Sequence, residues 1–218
     1  MDLTAQLDGY CERIDPSFWA EPVNAITNAA FLLAAIFMWH RSRGVPMARA
    51  LSAVLFAIGV GSFLFHTYAQ TWAAIADVAP IAIYVLLYIF LATRDFWNQN
   101  TLISLGALVL FFPYAYVTVP MFELLPVFHV SAGYGPVPLL ILIYAFGLRN
   151  RAPETARGLA IGAVIILLSL TFRSIDMPFC ESLPMGTHFM WHILNGIALG
   201  WMIEVYRRHM LAPPQKQG

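Results

Sequence analysis

The sequence predicts an all-α membrane protein: one bundle of seven transmembrane helices, N-terminus outside and C-terminus in the cytoplasm. Of its 218 residues 60% are hydrophobic and 11% charged, where a soluble domain carries about a quarter charged residues. Uncharged stretches recur seven times, near the roughly 20 residues needed to cross about 30 Å of hydrocarbon. The basic residues gather on alternate connections, as the positive-inside rule requires.

The first stretch runs from Asn24 to His40. The second lies between Arg49 and Tyr68, and the third from Trp72 to Thr93 is interrupted by Asp77. The fourth falls between Asn100 and Pro120, the fifth between Val130 and Leu148. The sixth, between Arg157 and Arg173, is the shortest, and the seventh spans Met185 to Tyr206. Barrel strands would alternate over about ten residues; these runs do not. Arg41, Arg43, Arg49, Arg94, Arg149, Arg151, Arg157, Arg207, Arg208 and Lys216 fall on one side, ten of the twelve cations. Arg13 and Arg173 remain on the other, with the acidic N-terminal segment.

The chain reads as a single domain, 1–218, with an acidic extracytoplasmic segment at 1–22 and a cytoplasmic tail at 212–218, disordered from Pro213. Net charge is zero and no basic cluster exists, so nucleic-acid binding has no electrostatic footprint. Asp2, Asp8, Glu12, Asp15 and Glu21 open the chain. A secretory signal has a basic start before an apolar run, so no cleaved signal is expected. Both cysteines, Cys11 and Cys180, lie on the outer side, where disulfides are permitted. A bridge would tie the N-terminal segment to the mouth of span seven; two free thiols are the alternative.

Ionisable side chains inside a span are costly and mark function. His66, Asp77, His188 and His192 stand out, with Ser62 beside them. His40, Glu204 and His209 reach water at the cytoplasmic side, and His129 belongs to an outer loop. His188 and His192 are four residues apart, one turn along a single helical face, a spacing that binds one metal. Ser62 and His66 share that spacing, and Asp77 sits about one turn into span three. All five fall at the outer ends of their helices. Three neutral nitrogen ligands leave zinc an open position, the pattern of a catalytic site. Asp77 suits the general-base role, and Ser62 suits hydrogen bonding to a developing oxyanion. Asn28, Tyr84, Tyr88, Tyr114 and Asn195 read as inter-helix hydrogen-bond partners.

The segment Y-C-E-R-I-D-P-S-F-W-A-E-P-V-N-A-I-T-N at 10–28, S-x-x-x-H at 62–66, Asp77 eleven residues later, and H-x-x-x-H at 188–192 carry a resemblance. Over essentially the whole chain the sequence resembles the alkaline ceramidase family, within the seven-helix hydrolase superfamily that includes the adiponectin receptors. The resemblance implies an amide hydrolase that cleaves ceramide, or a related N-acyl sphingoid lipid, to a fatty acid and a long-chain base. It implies zinc on His66, His188 and His192, Asp77 working with the zinc water, Ser62 at the reaction centre, and a Cys11–Cys180 disulfide. It also implies calcium on acidic N-terminal residues, Glu12 and Glu21, with Asp8 or Asp15 substituting where Gly9, Tyr10 and Ile14 depart from the family pattern. An acidic solvated segment is the alternative reading there.

A lipid in one leaflet would enter sideways between helices, its tail in an apolar cavity lined from spans four to seven. A metal-containing receptor or sensor without turnover is the competing class. A transporter fits poorly, because the ionisable cluster is confined to the outer half. Short loops suggest a bacterial inner membrane with the site toward the periplasm; the alternative is the endoplasmic reticulum with the site toward the lumen.

Overall fold

Proline sets where four of the helices begin. α1 (Pro22–Thr27), α3 (Pro46–Tyr68), α6 (Pro136–Leu148) and α7 (Pro153–Ser174) each open on one. At that position its missing N–H costs nothing and its fixed φ suits the helix. The other helices of this computed structural model, which describes residues 2–213, are α2 (Ala29–Arg41), α4 (Thr71–Leu91), α5 (Thr101–Glu123) and α8 (His188–Leu211). Asn100 caps α5 by accepting the Ile103 N–H at 3.0 Å, which satisfies one of the donors left open by a helix start. Residues 214–218, in the tail expected to be disordered, lie outside the described residues.

Among the described residues five helical stretches are long and apolar enough to cross a membrane: Pro22–Arg41, Pro46–Tyr68, Thr71–Phe96, Thr101–Glu123 and Pro153–Ser174. They correspond to the first, second, third, fourth and sixth runs of the sequence. The first is broken at Asn28 into α1 and α2, and the third ends in a π-helical turn, Ala92–Phe96. The fifth run differs from expectation. Its first residues form a 3-10 turn, His129–Tyr134, and α6 has only 13 residues, because Gly133, Gly135 and Pro136 interrupt the helix. The seventh run is helical from His188, three residues later than expected. α8 has 24 residues, but its histidines, Asn195 and Glu204 make it less apolar than the five.

α3 packs against α2 and α4, α7 against α6 and α8, and α8 closes back onto α2. The core joins Leu51, Leu55 and Ile58 of α3 to Tyr84 and Tyr88 of α4 and Met202 and Ile203 of α8. The outward side chains are apolar as well; Leu102, Val109, Leu110 and Tyr116 stand exposed along α5, the composition of a lipid-facing surface. Tyr84 and Tyr88 donate their hydroxyls to the carbonyls of Leu199 and Met202, and Tyr114 to that of Pro136, the inter-helix role expected of them. Asn28 instead bonds the Asn24 carbonyl in its own segment.

The N-terminal segment lies over one end of the bundle. Ala5 and Leu3 accept the N–H groups of Thr71 and Trp72 at 3.1 and 3.0 Å, and Leu7 donates to Ala69. The first open donors of α4 are satisfied in this way. The Cys11–Cys180 disulfide, with Cα atoms 5.4 Å apart, ties the same segment to the connection before α8. At the opposite end Glu204 accepts from Arg41, Arg207 and Arg208.

Gly61 sets the α3–α4 distance: a Cβ there would fall on the Ala76 carbonyl, with the Asp77 Cα at 3.2 Å. Gly61→Ala is therefore expected to push the helices apart. It should destabilise the protein by about 1–3 kcal/mol, seen as a lower thermal midpoint in detergent. Gly106→Ala, with nothing near its added methyl, serves as the control.

Candidate metal centre

His66 lies in the last turns of α3, and His188 and His192 in the first turns of α8. Both helix ends meet under the N-terminal segment. All three rings are buried, at 1%, 1% and 0% exposure, and one ligand nitrogen from each falls within 4.8 Å of the others. The Nε2 atoms of His66 and His192 are 3.0 Å apart.

Neighbours fix which nitrogen of the His66 and His192 rings carries the proton. The Nδ1 of His66 is 2.6 Å from Glu21 Oε2. A carboxylate can only accept, so the proton sits on Nδ1 and the lone pair on Nε2. The Nδ1 of His192 is 2.9 Å from the Thr27 hydroxyl, which donates to the Val23 carbonyl at 2.8 Å. That hydroxyl therefore accepts from Nδ1–H and again leaves the lone pair on Nε2. Two Nε2 lone pairs consequently face each other, an arrangement that calls for a cation between them. The third ring stacks on Tyr10, centroids 3.8 Å apart, and its Nδ1 is buried without a partner.

The donor set fits zinc. Tetrahedral nitrogen ligands 2.0–2.1 Å from the ion stand about 3.3 Å from each other, close to the His66–His192 separation. Imidazoles whose far N–H groups bond a carboxylate and a hydroxyl are oriented as metal-binding histidines usually are.

Other side chains hold this frame, and sequence reasoning did not assign them to it. Glu21 is itself held by the Arg13 guanidinium at 2.5 Å and by Asn24 Nδ2 at 3.1 Å. Burial alone would raise the Glu21 carboxyl, but His66 and Arg13 outweigh it and hold it below the usual range. Asp176 accepts the N–H groups of Thr187 and His188 through Oδ1, at 2.7 and 2.9 Å, and that of Cys11 through Oδ2 at 2.9 Å. It thereby fixes where α8 begins. Gly186, at φ +65°, leaves room for this carboxylate, against which a Cβ would collide. The visible signals for Arg13, Thr27 and Asp176 were polar residues in or beside apolar runs. Their partnerships, Arg13 with Glu21 at 8 residues, Asp176 with Thr187 and His188 at 11 and 12, and Thr27 with His192 at 165, leave no mark in the sequence pattern.

Ser62 lies one turn before His66 on the same face of α3 and is buried. Asp77 is on the second turn of α4, where that helix passes Gly61, the neighbour of Ser62. Ser62, His66, Asp77, His188 and His192 thus occupy one end of the bundle, as the sequence led us to expect.

The acidic residues expected to hold calcium make hydrogen bonds within the N-terminal segment and to His66. Glu12 accepts the N–H groups of Val23 and Asn24 at 2.7 and 2.8 Å, capping α1, and burial raises its carboxyl above the ordinary range. Asp15 accepts the Ser17 N–H at 2.7 Å. Both Glu21 oxygens are engaged as described.

Below the histidines, α4, α5, α6, α7 and α8 line a partly open apolar cavity of about 50 Å³ with no charged residue in its lining. α4, the third run, contributes as well as the fourth to seventh. Tyr84 and Tyr88 line it, with their hydroxyls tied to α8.

No curated protein matches the chain significantly. The family model described as Ceramidase matches residues 3–217. Such a match spans essentially the whole sequence, and the chain accordingly belongs to the ceramidase family, amide hydrolases that act on a C–N bond.

Proposed function

We propose that the protein is a zinc-dependent intramembrane amidase that cleaves ceramide, or a related N-acyl sphingoid lipid, to a fatty acid and a long-chain base. The observation that carries the zinc reading is the pair of pinned histidines, His66 on Glu21 and His192 on Thr27, whose free nitrogens converge with His188. These three residues hold the ion. When bound, zinc in such a site polarises a carbonyl and makes water ionisable near neutral pH.

The chain's own residues do the rest. Asp77 takes the proton of the attacking water and passes it to the amine as the C–N bond breaks. Ser62 donates its hydroxyl to the oxyanion that develops on the amide carbonyl. The apolar cavity takes a lipid tail, because Leu199 and Met202 follow His192 at seven and ten residues on one face of α8. At 1.5 Å per residue Leu199 stands about 10 Å below His192 along α8.

We read the chain as crossing the membrane seven times, with α6 and α8 as the remaining two spans. The cation-rich end, with Arg41, Arg94, Arg207 and Arg208, faces the cytoplasm. The histidines then lie at the outer side, at the headgroup depth of an entering lipid, the periplasmic side of a bacterial inner membrane.

Detergent-purified protein stripped of metal is expected to release no long-chain base from ceramide, and to recover turnover as zinc is added to one equivalent. Turnover that persists in the stripped protein would contradict the reading. The cavity assignment has its own test. Leu199→Trp fills the space and is expected to cut hydrolysis of long-acyl ceramide by about 5- to 150-fold, the equivalent of about 1–3 kcal/mol of lost tail binding. Short-acyl ceramide should be affected much less.

A further inference from the structure

Arg13 is a buried cation away from the chemistry. Its side chain is 3% exposed, a position in which an arginine is rarely found unless paired. Every contact it makes is to oxygen. Nε reaches Glu21 Oε1, one terminal nitrogen reaches the carbonyls of Asp15 and Ser17 at 3.1 and 3.5 Å, and the other reaches the carbonyl of His66 at 3.1 Å. One guanidinium therefore touches His66 from two directions. It bonds that residue's backbone directly, and its ring through Glu21, whose second oxygen is on Nδ1. The planar fork suits this task, because fixed donors define the angle of a carboxylate as a point charge cannot.

We infer that Arg13 is a positioning residue of the metal centre: it locks Glu21 against His66, and so sets the direction of the His66 lone pair. The N-terminal segment is on this account part of the site. Asp176 anchors its Cys11 beside His188, and Arg13 anchors it to His66, so that one strap ties both ligand-bearing helix ends. This inference rests on the zinc reading above.

The test is the rate at which zinc-loaded protein gives up its metal to a chromophoric chelator, compared between wild type, Arg13→Ala, Arg13→Lys and Glu21→Gln. Outer partners of metal-binding histidines typically change affinity by about 10- to 100-fold. Arg13→Ala is expected to lose zinc faster by that factor. Arg13→Lys, which keeps the charge without the fork, should fall between it and wild type. Because Arg13 works through Glu21, the double variant Arg13→Ala/Glu21→Gln should fall well short of the product of the single effects, whereas two independent structural defects would multiply.

Zinc loss from Arg13→Ala at the wild-type rate, or full multiplication in the double variant, overturns the inference. If Arg13→Ala does not fold, Arg13→Lys decides alone, and a wild-type rate overturns it equally. Wild type that binds no zinc overturns the metal reading itself and the inference with it.

Discussion

Replacing His192 by alanine is expected to abolish ceramide hydrolysis and to release the metal, while the helices stay in place. His192 contributes one of three nitrogens within 4.8 Å, and two remaining imidazoles fall short of the three protein ligands of a catalytic zinc site. The substitution does not threaten the fold by making α8 more polar, since it removes a polar side chain from an apolar run. It leaves the Thr27 hydroxyl without its imidazole partner, but that hydroxyl keeps its bond to the Val23 carbonyl. Turnover should fall below detection and bound zinc should disappear, while circular dichroism remains that of wild type. A variant with full zinc and full turnover would show that His192 is not a ligand.

Asp77→Asn is expected to separate metal from rate. Asp77 is on α4, whereas all three histidines lie on α3 and α8, so zinc content should stay near that of wild type. The amide cannot accept a proton from water, and loss of a general base costs about 10²- to 10⁴-fold in rate. The fall should appear in kcat, with KM little changed. Loss of folding in this isosteric variant would place Asp77 in the structure and not in the reaction.

Much of this site was legible from spacing within single helices. Ser62 and His66 stand four apart, as do His188 and His192, and such pairs share a face before any tertiary structure is known. The depth of each pair in its apolar run then placed them at one end of the bundle. Partnerships between distant segments were not legible. Glu21 and His66 are separated by 45 residues, and Thr27 and His192 by 165. Nothing local distinguishes an acid that orients a histidine from one that binds calcium. Where the fold departed from expectation the cause was turn chemistry: Gly133, Gly135 and Pro136 shorten α6, and capping by Asp176 delays α8 until His188.

The central claim is that three histidines from two helices hold one zinc ion beside the reacting amide. Elemental analysis of the detergent-purified protein, wild type beside His188→Ala/His192→Ala, tests it most directly. The account predicts about one zinc per wild-type chain, the stoichiometry of a three-histidine site, and none in the variant. Wild-type protein purified without chelator, supplied with zinc and still empty would contradict it.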